Sequence, residues 1–322
     1  MPIILRDEHE LLKSRLLKSG AVVLDDFEAH SEIHRPARIG LINLMPAATM
    51  DVTELQWLRY MSNTILQVEP VLIKFDEDFR GRAGASRESI LSRYVPFSEA
   101  ASGGLDGLII TGGNLELAEI QIGEKKIGLD FHELKFYDQL CEIIDWAREN
   151  VYSTIYSCLA SHFALDHLFK MKRTILDEKI FGVFNHRVLD TLSSPFTKGF
   201  DDIIRAPHAR WGSVADSEFD DKDVEILACC DTAGWLAAQS QNFNGGYDLF
   251  LQGHPEYDRY DLHREFQRDW ALGEAKSIPA GYYADDNPAS MPQLTWANDA
   301  RALHSNWINA IYKHFSNNLV NS

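Results

Sequence analysis

Short apolar, β-branched runs alternate along the first half of the chain with longer stretches in which apolar residues recur every three or four positions. "RIGLINL" (38–44), "VEPVLIKF" (68–75), "LDGLIITG" (105–112) and "VYSTIYS" (151–157) read as buried strands. Between them, "DVTELQWLRYMSN" (51–63) and "FHELKFYDQLCEIIDWAREN" (131–150) carry the spacing of helices packed on a sheet. This alternation predicts an α/β fold with a mostly parallel sheet and helices on both faces, and sites in such sheets form beyond the carboxyl ends of the strands. In the second half, "KIFGVFNHRVLD" (179–190), "DVEILACC" (223–230), "GWLAAQS" (234–240) and "YDLFLQG" (247–253) predict further strands of the same sheet. "ARALHSNWINAIYKHF" (300–315) predicts a helix packed back on the body. No repeat, low-complexity segment or linker divides the sequence, so residues 1–322 read as one domain with N-terminal and C-terminal extensions packed on its core.

Composition narrows the function. A chain of 322 residues with 45% hydrophobic content buries a sizeable core. Its net charge of -17 repels a polyanion and argues against a nucleic-acid partner. Local basic groups can still hold a small anion, so a phosphate-bearing co-substrate such as a coenzyme A thioester stays open. The start, "MPIILRDEHELLKSRLL", lacks the apolar core and cleavage site of a signal peptide, and no run approaches the roughly 18 apolar residues of a membrane span. A cytoplasmic location is expected, with no membrane partner. The cysteines, Cys141, Cys158, Cys229 and Cys230, form no Cys-x-x-Cys pair, which points to reduced thiols rather than zinc or a disulfide framework.

Two segments carry the candidate chemistry. Cys158 stands between the strand "VYSTIYS" and the helical "LASHFALDHLF", where a nucleophile elbow would lift its thiol above the sheet. Backbone N–H groups at such a helix start favour a thiolate and can hold an oxyanion. Tyr156 and Ala160 occupy the glycine positions of the usual elbow, and a small buried cysteine would fit the same segment. The second segment, "LFLQGHPEYDRYDLHREF", ends an apolar strand at Gly253-His254-Pro255-Glu256. His254 is placed to act as a base and Glu256 to orient it, with Tyr257 beside them; the alternative is a surface turn. His162, four residues after Cys158, either touches the thiol or packs, and His186 and His208 either line a site or are structural. No two histidines four residues apart carry the carboxylate in the zinc-protease arrangement, directly after the first, so no metal is expected. "IITGGNLELAE" places Gly112 and Gly113 after a strand, where backbone can approach a ligand, and Glu116 beyond them either limits the pocket or is solvated surface. It lacks the lysine and the glycine spacing of nucleotide-binding loops.

Taken together, "RIGLINLMP", "TELQWLRYMSNTILQV", "DGLIITG", "FGVFNHRVLD", "GFDD", "APHARW" and "GHPEYDR" resemble the homoserine O-acyltransferase family, which includes homoserine O-succinyltransferases, over nearly the whole chain. The resemblance implies a class I glutamine amidotransferase-like fold. It also implies transfer of an acetyl or succinyl group from acyl-coenzyme A to the hydroxyl of homoserine in methionine biosynthesis, with no permanently bound cofactor and a homodimeric assembly. By the same resemblance Cys158 accepts the acyl group, His254 is the general base, Glu256 orients it, Arg268 contacts the amino-acid substrate, and Glu116 sits at the position associated with donor choice. Gly112, Gly113, Ser161, His162 and Tyr257 complete the expected substrate-binding set. The chain departs from the family pattern at Pro46-Ala47-Ala48, where lysines are usual, at Leu159 and Ser161-His162 after the cysteine, and at Ala209, where serine is common. These departures leave room for a different amino-acid or amine acceptor. A cysteine-dependent hydrolase or glutaminase and a catalytically weakened binding or regulatory protein are the rival readings.

Overall fold

The structure is a computed structural model and describes residues 3–5, 10–18, 21, 23–24, 35–62, 66–76, 92–113, 120–122, 125–127, 131–189, 193–273, 275 and 277–320. The elements run β1 (Ile3–Ile4), α1 (Glu10–Lys18), β2 (Val23–Leu24), β3 (Ala37–Ile42), α2 (Ala47–Met61), β4 (Val68–Lys74), β5 (Val95–Pro96), α3 (Phe97–Ser102) and β6 (Gly107–Ile110). A small hairpin, β7 (Ile120–Ile122) and β8 (Lys125–Ile127), precedes α4 (Tyr137–Asn150), β9 (Ser153–Ser157) and α5 (Leu159–Phe169). The chain continues through β10 (Arg173–Val188), β11 (Ile203–Val214), β12 (Glu225–Cys230), β13 (Gly234–Gln241), β14 (Tyr247–Leu251), α6 (Asp261–Ala271) and α7 (Ala297–Val320).

Among the described residues, twelve strands form one sheet in the order β11-β10-β12-β13-β14-β9-β6-β3-β4-β1-β2, with β5 beside β4. From β14 to β2 every pairing is parallel; from β14 to β11 every pairing is antiparallel. The expected extension of one sheet through the second half is therefore present, and the change of sense falls beside β14, at the strand that leads to His254.

The central strands are apolar on both sides because both sides are covered. Ile39, Leu41, Ile109, Ile155, Leu249 and Leu251 face a core shared with Trp57, Leu58, Trp307 and Ile311 of α2 and α7. Their neighbours Ile42, Leu108, Ile110, Tyr156 and Phe250 face a second core with Ile143 and Ile144 of α4 and Phe163 and Leu165 of α5. Side chains alternate across a strand with period two, so each strand feeds both layers. Helix α5 has no polar stripe: Leu159 through Leu165 are all buried, as expected of a helix enclosed on every side.

The predicted strand at 179–190 begins earlier, at Arg173, and its partner β11 was not foreseen. β11 carries Arg205, Pro207, His208 and Arg210 within one strand, a composition that masks the alternation. Proline is tolerated there because β11 lies at the sheet edge. Between Ile175 and Ile180 the β10–β11 register shifts, so that Leu176 to Lys179 bulge opposite Trp211.

Helix α7 closes one face through Trp307, fully buried, whose Nε1–H donates to Ser153 Oγ at 2.9 Å. Trp307→Ala is expected to cost about 3–5 kcal/mol, read as a lower urea midpoint at unchanged slope in far-UV circular dichroism. An unchanged midpoint would show that α7 adds nothing to the cover of the sheet.

Candidate active site

Strand register assembles the site. β9 lies between β6 and β14, parallel to both, with Ile110 opposite Tyr156 and Leu251 opposite Ser157. Two residues beyond Ile110 is Gly112, one beyond Ser157 is Cys158, and three beyond Leu251 is His254. The three therefore emerge at one carboxyl edge of the sheet. The Cys158 N–H donates to Leu251 O at 2.6 Å, which ties the elbow to the strand that carries the histidine.

Cys158 has φ 50° and ψ -112°, a backbone conformation that side-chain-bearing residues rarely hold. It is kept by what surrounds it: Ser161 and His162 N–H donate to Cys158 O at 3.0 and 3.2 Å, and Ser161 Oγ donates to the same oxygen at 2.6 Å. Helix α5 starts at the next residue, so the N–H groups of Leu159 and Ala160 fall at the helix start, where no intrahelical acceptor is in reach. A Cβ at Gly112 would lie 3.1 Å from Cys158 Cβ, so a larger residue there would press on the elbow.

His254 Nδ1 pairs with Glu256 Oε1 at 2.7 Å, which leaves Nε2 for Cys158, and the Tyr257 ring stacks on the imidazole at 4.2 Å. Burial disfavours a charged His254, but Cys158 and Glu256 outweigh it and hold the imidazole well above its ordinary pKa. Both partners thus favour the protonated imidazole.

A cleft of about 110 Å³ opens over these groups. Cys158, Gly112, Gly113, His254, Glu256, Tyr257 and Arg268 all line it. Ser161 and His162 do not line it: both are buried beneath the elbow, where His162 Nε2 pairs with Gln252 Oε1 at 3.0 Å and burial pushes its pKa well below the ordinary value. Glu116 lies outside the described residues. His186 and His208 are buried behind the cleft and touch each other.

The structure adds residues that the sequence did not single out. Glu265 lines the cleft one helical turn before Arg268, and Thr53 and Gln56 of α2 line the opposite wall with Met45, all uncharged. Lys179, swung out by the β10 bulge, bridges Glu265 and Asp269 at 2.7 Å each, and Arg268 Nε donates to Asp269 Oδ1 at 2.9 Å. Burial would raise the Asp269 carboxyl, but Lys179 and Arg268 together lower it below its ordinary pKa. The i, i+3 spacing of Glu265 and Arg268 on α6 was visible as a pattern; the meeting with Lys179, from the far side of the fold, was not. Ala209, also in the lining, leaves room where a larger side chain would narrow the cleft. Among the described residues no group of three histidine, cysteine or acidic side chains could hold a metal ion, and no helix is long and apolar enough to cross a membrane.

A buried cysteine on a strained turn, faced by a histidine that a carboxylate orients, has the make-up of a covalent group-transfer centre. The comparisons with known proteins give that class a family. The family model described as homoserine O-succinyltransferase matches residues 2–317. A homoserine O-acetyltransferase from Lachnospira eligens is 34% identical over 298 residues, 92% of this chain and 90% of the relative. A homoserine O-succinyltransferase from Pseudoalteromonas atlantica is 33% identical over 311 residues, 96% and 94% of the two chains. The chain belongs to the homoserine O-succinyltransferase family, whose members are acyltransferases. Among solved structures, a glutamine amidotransferase from Thermotoga maritima matches with a TM-score of 0.48 at 12% identity, over 86% of this chain and 99% of that one.

Removing the cation beside the thiol is expected to slow its chemistry, since a neighbouring imidazolium favours the thiolate. In His254→Asn, alkylation of Cys158 by iodoacetamide near neutral pH should fall about tenfold or more, followed by intact mass. An unchanged rate would show that the two side chains do not act as a pair.

Proposed function

We propose that the protein transfers an acetyl or succinyl group from acyl-coenzyme A to the hydroxyl of homoserine, or of a closely related amino acid, through a thioester on Cys158. The observation that carries this is the shared lining: the strained cysteine, the His254–Glu256 pair and the Glu265–Arg268 pair face one small cleft. The names of the relatives, O-acetyl- and O-succinyltransferases of homoserine, support the same chemistry.

In the first half-reaction the Cys158 thiolate attacks the thioester carbonyl. The oxyanion is held by N–H groups of the α5 start and the Gly112-Gly113 loop. The carbon–sulfur bond to the coenzyme breaks, and its thiolate takes the proton from the His254 imidazolium. In the second, neutral His254 removes the proton of the acceptor hydroxyl as its oxygen attacks the acyl-cysteine. The Cys158 carbon–sulfur bond breaks, and the thiolate and imidazolium are restored. Glu256 fixes the imidazole tautomer throughout, and one thioester exchanged for another keeps the first step near balance.

Arg268 and Glu265 fit the acceptor's two charges. A guanidinium offers a carboxylate two parallel donors, and Glu265 can take an α-ammonium group. Thr53 and Gln56 of α2 and Ala209 leave this part of the cleft uncharged, and they bear on which amino acid fits rather than on the acyl step.

Intact-protein mass after incubation with acetyl- or succinyl-coenzyme A should show one added acyl group, absent in Cys158→Ala, and homoserine should discharge it. No adduct with either donor, together with no release of free coenzyme A during turnover, would refute the proposal. Arg268→Lys is expected to raise the homoserine KM about tenfold while leaving acyl-enzyme formation unchanged; equal losses in both would place Arg268 outside the acceptor site.

A further inference from the structure

Behind the cleft, three polar side chains are buried in a row. Arg210, His208 and His186 are each 1% exposed or less. Arg210 Nε donates to His208 Nδ1 at 3.3 Å, and its terminal nitrogens donate to Gly212 O and Ala233 O. His208 Nε2 lies 3.1 Å from His186 Nε2, with the two rings stacked at 5.0 Å. The direction of this chain is dictated at one end. A guanidinium only donates, so His208 Nδ1 has to accept, its proton has to sit on Nε2, and that proton can only be given to His186 Nε2.

The row lies directly under the catalytic turn. A Cβ on Gly253 would come within 2.9 Å of both His208 Nε2 and Pro207 O, and the His254 N–H donates to Pro207 O at 2.7 Å. The backbone of β11 and the ring of His208 are thus the floor on which Gly253-His254 rests. We propose that the Arg210–His208–His186 chain is a positioning device for His254, which locks the turn beneath it and keeps an uncharged ring next to the imidazolium.

Neutrality matters because a second positive charge at this distance would repel the His254 proton and dissolve its pairing with Cys158. The titratable and charged groups facing His208 are His186 on β10, Arg210 on its own strand and His254 beyond β14. Burial foremost, then these three, press its pKa well below the ordinary value, and burial takes His186 down to about 4. Replacing His208 by an apolar ring would strand the Arg210 donor and the His186 acceptor. Glutamine offers one acceptor and one donor from a single group and can serve both.

The experiment reads the thiol with iodoacetamide rather than with an acyl donor, so its outcome does not depend on the identity of either substrate. In the full-length protein, imidazole nitrogen NMR should find His208 protonated at Nε2 and not titrating between about pH 5 and 9. His208→Phe should slow Cys158 alkylation near neutral pH about tenfold and displace its pH profile, while His208→Gln stays within about threefold of the unmodified chain. A folded His208→Phe with an unaltered profile would overturn the proposal, as would His208→Gln as slow as His208→Phe. A His208 signal that titrates in that range, or one with its proton on Nδ1, would overturn it on the unmodified chain alone.

Discussion

Everything at the site depends on the parallel pairing of β9 with its two neighbours. The bond from Cys158 N–H to Leu251 O continues the ladder one step past the last strand residue, and so fixes the cysteine against the strand that presents His254. A slip of one residue would turn Tyr156 and Phe250 to the wrong layer and carry the cysteine away from the histidine. The apolar alternation that holds the two cores in place is therefore also what aligns the thiol with the imidazole. Stability and function here share one register.

Electrostatics are organised locally and against the sign of the whole. The chain carries a net -17, yet Arg268 reaches the cleft and Lys179 stands behind it, each paired to acids of the same helix. Glu265 and Asp269 neutralise these cations without hiding Arg268, whose side chain remains 44% exposed. A partly exposed guanidinium in a prepaired network can exchange one carboxylate for another at small cost, because the incoming group replaces a similar contact. Deeper in, burial favours the uncharged forms of His186 and His208, while Cys158 and Glu256 favour the charged form of His254.

Much of this was legible in the sequence, for identifiable reasons. The buried parallel strands advertise themselves because both faces are covered, and the elbow is marked by the change from strand to helix at Cys158. His254 and Glu256 stand out because an apolar strand ends just before them. β11 was hidden by Arg205, Pro207, His208 and Arg210: His208 and Arg210 are buried because they satisfy each other, His186 and the neighbouring backbone, while Arg205 bonds Asn185 on the exposed side. Lys179, Thr53, Gln56 and Glu265 look like solvated positions on amphipathic elements, and only the tertiary fold shows which solvated positions share a cleft. Ser161 and His162 were expected at the substrate because they follow the nucleophile. A helix buried on all sides gives its polar side chains to the backbone and to Gln252 instead.

That enclosure divides the cleft into a fixed half and an exchangeable one. The wall that carries the thiol rests on a helix whose residues from Leu159 to Leu165 are all buried and have no free face on which to vary. The opposite wall stands on α6, which buries only Leu262, Phe266 and Asp269 and turns its remaining side chains outward or toward the ligand. Substitutions along that helix and on the α2 wall would change the lining of the cleft while leaving the packing around Cys158 as it is.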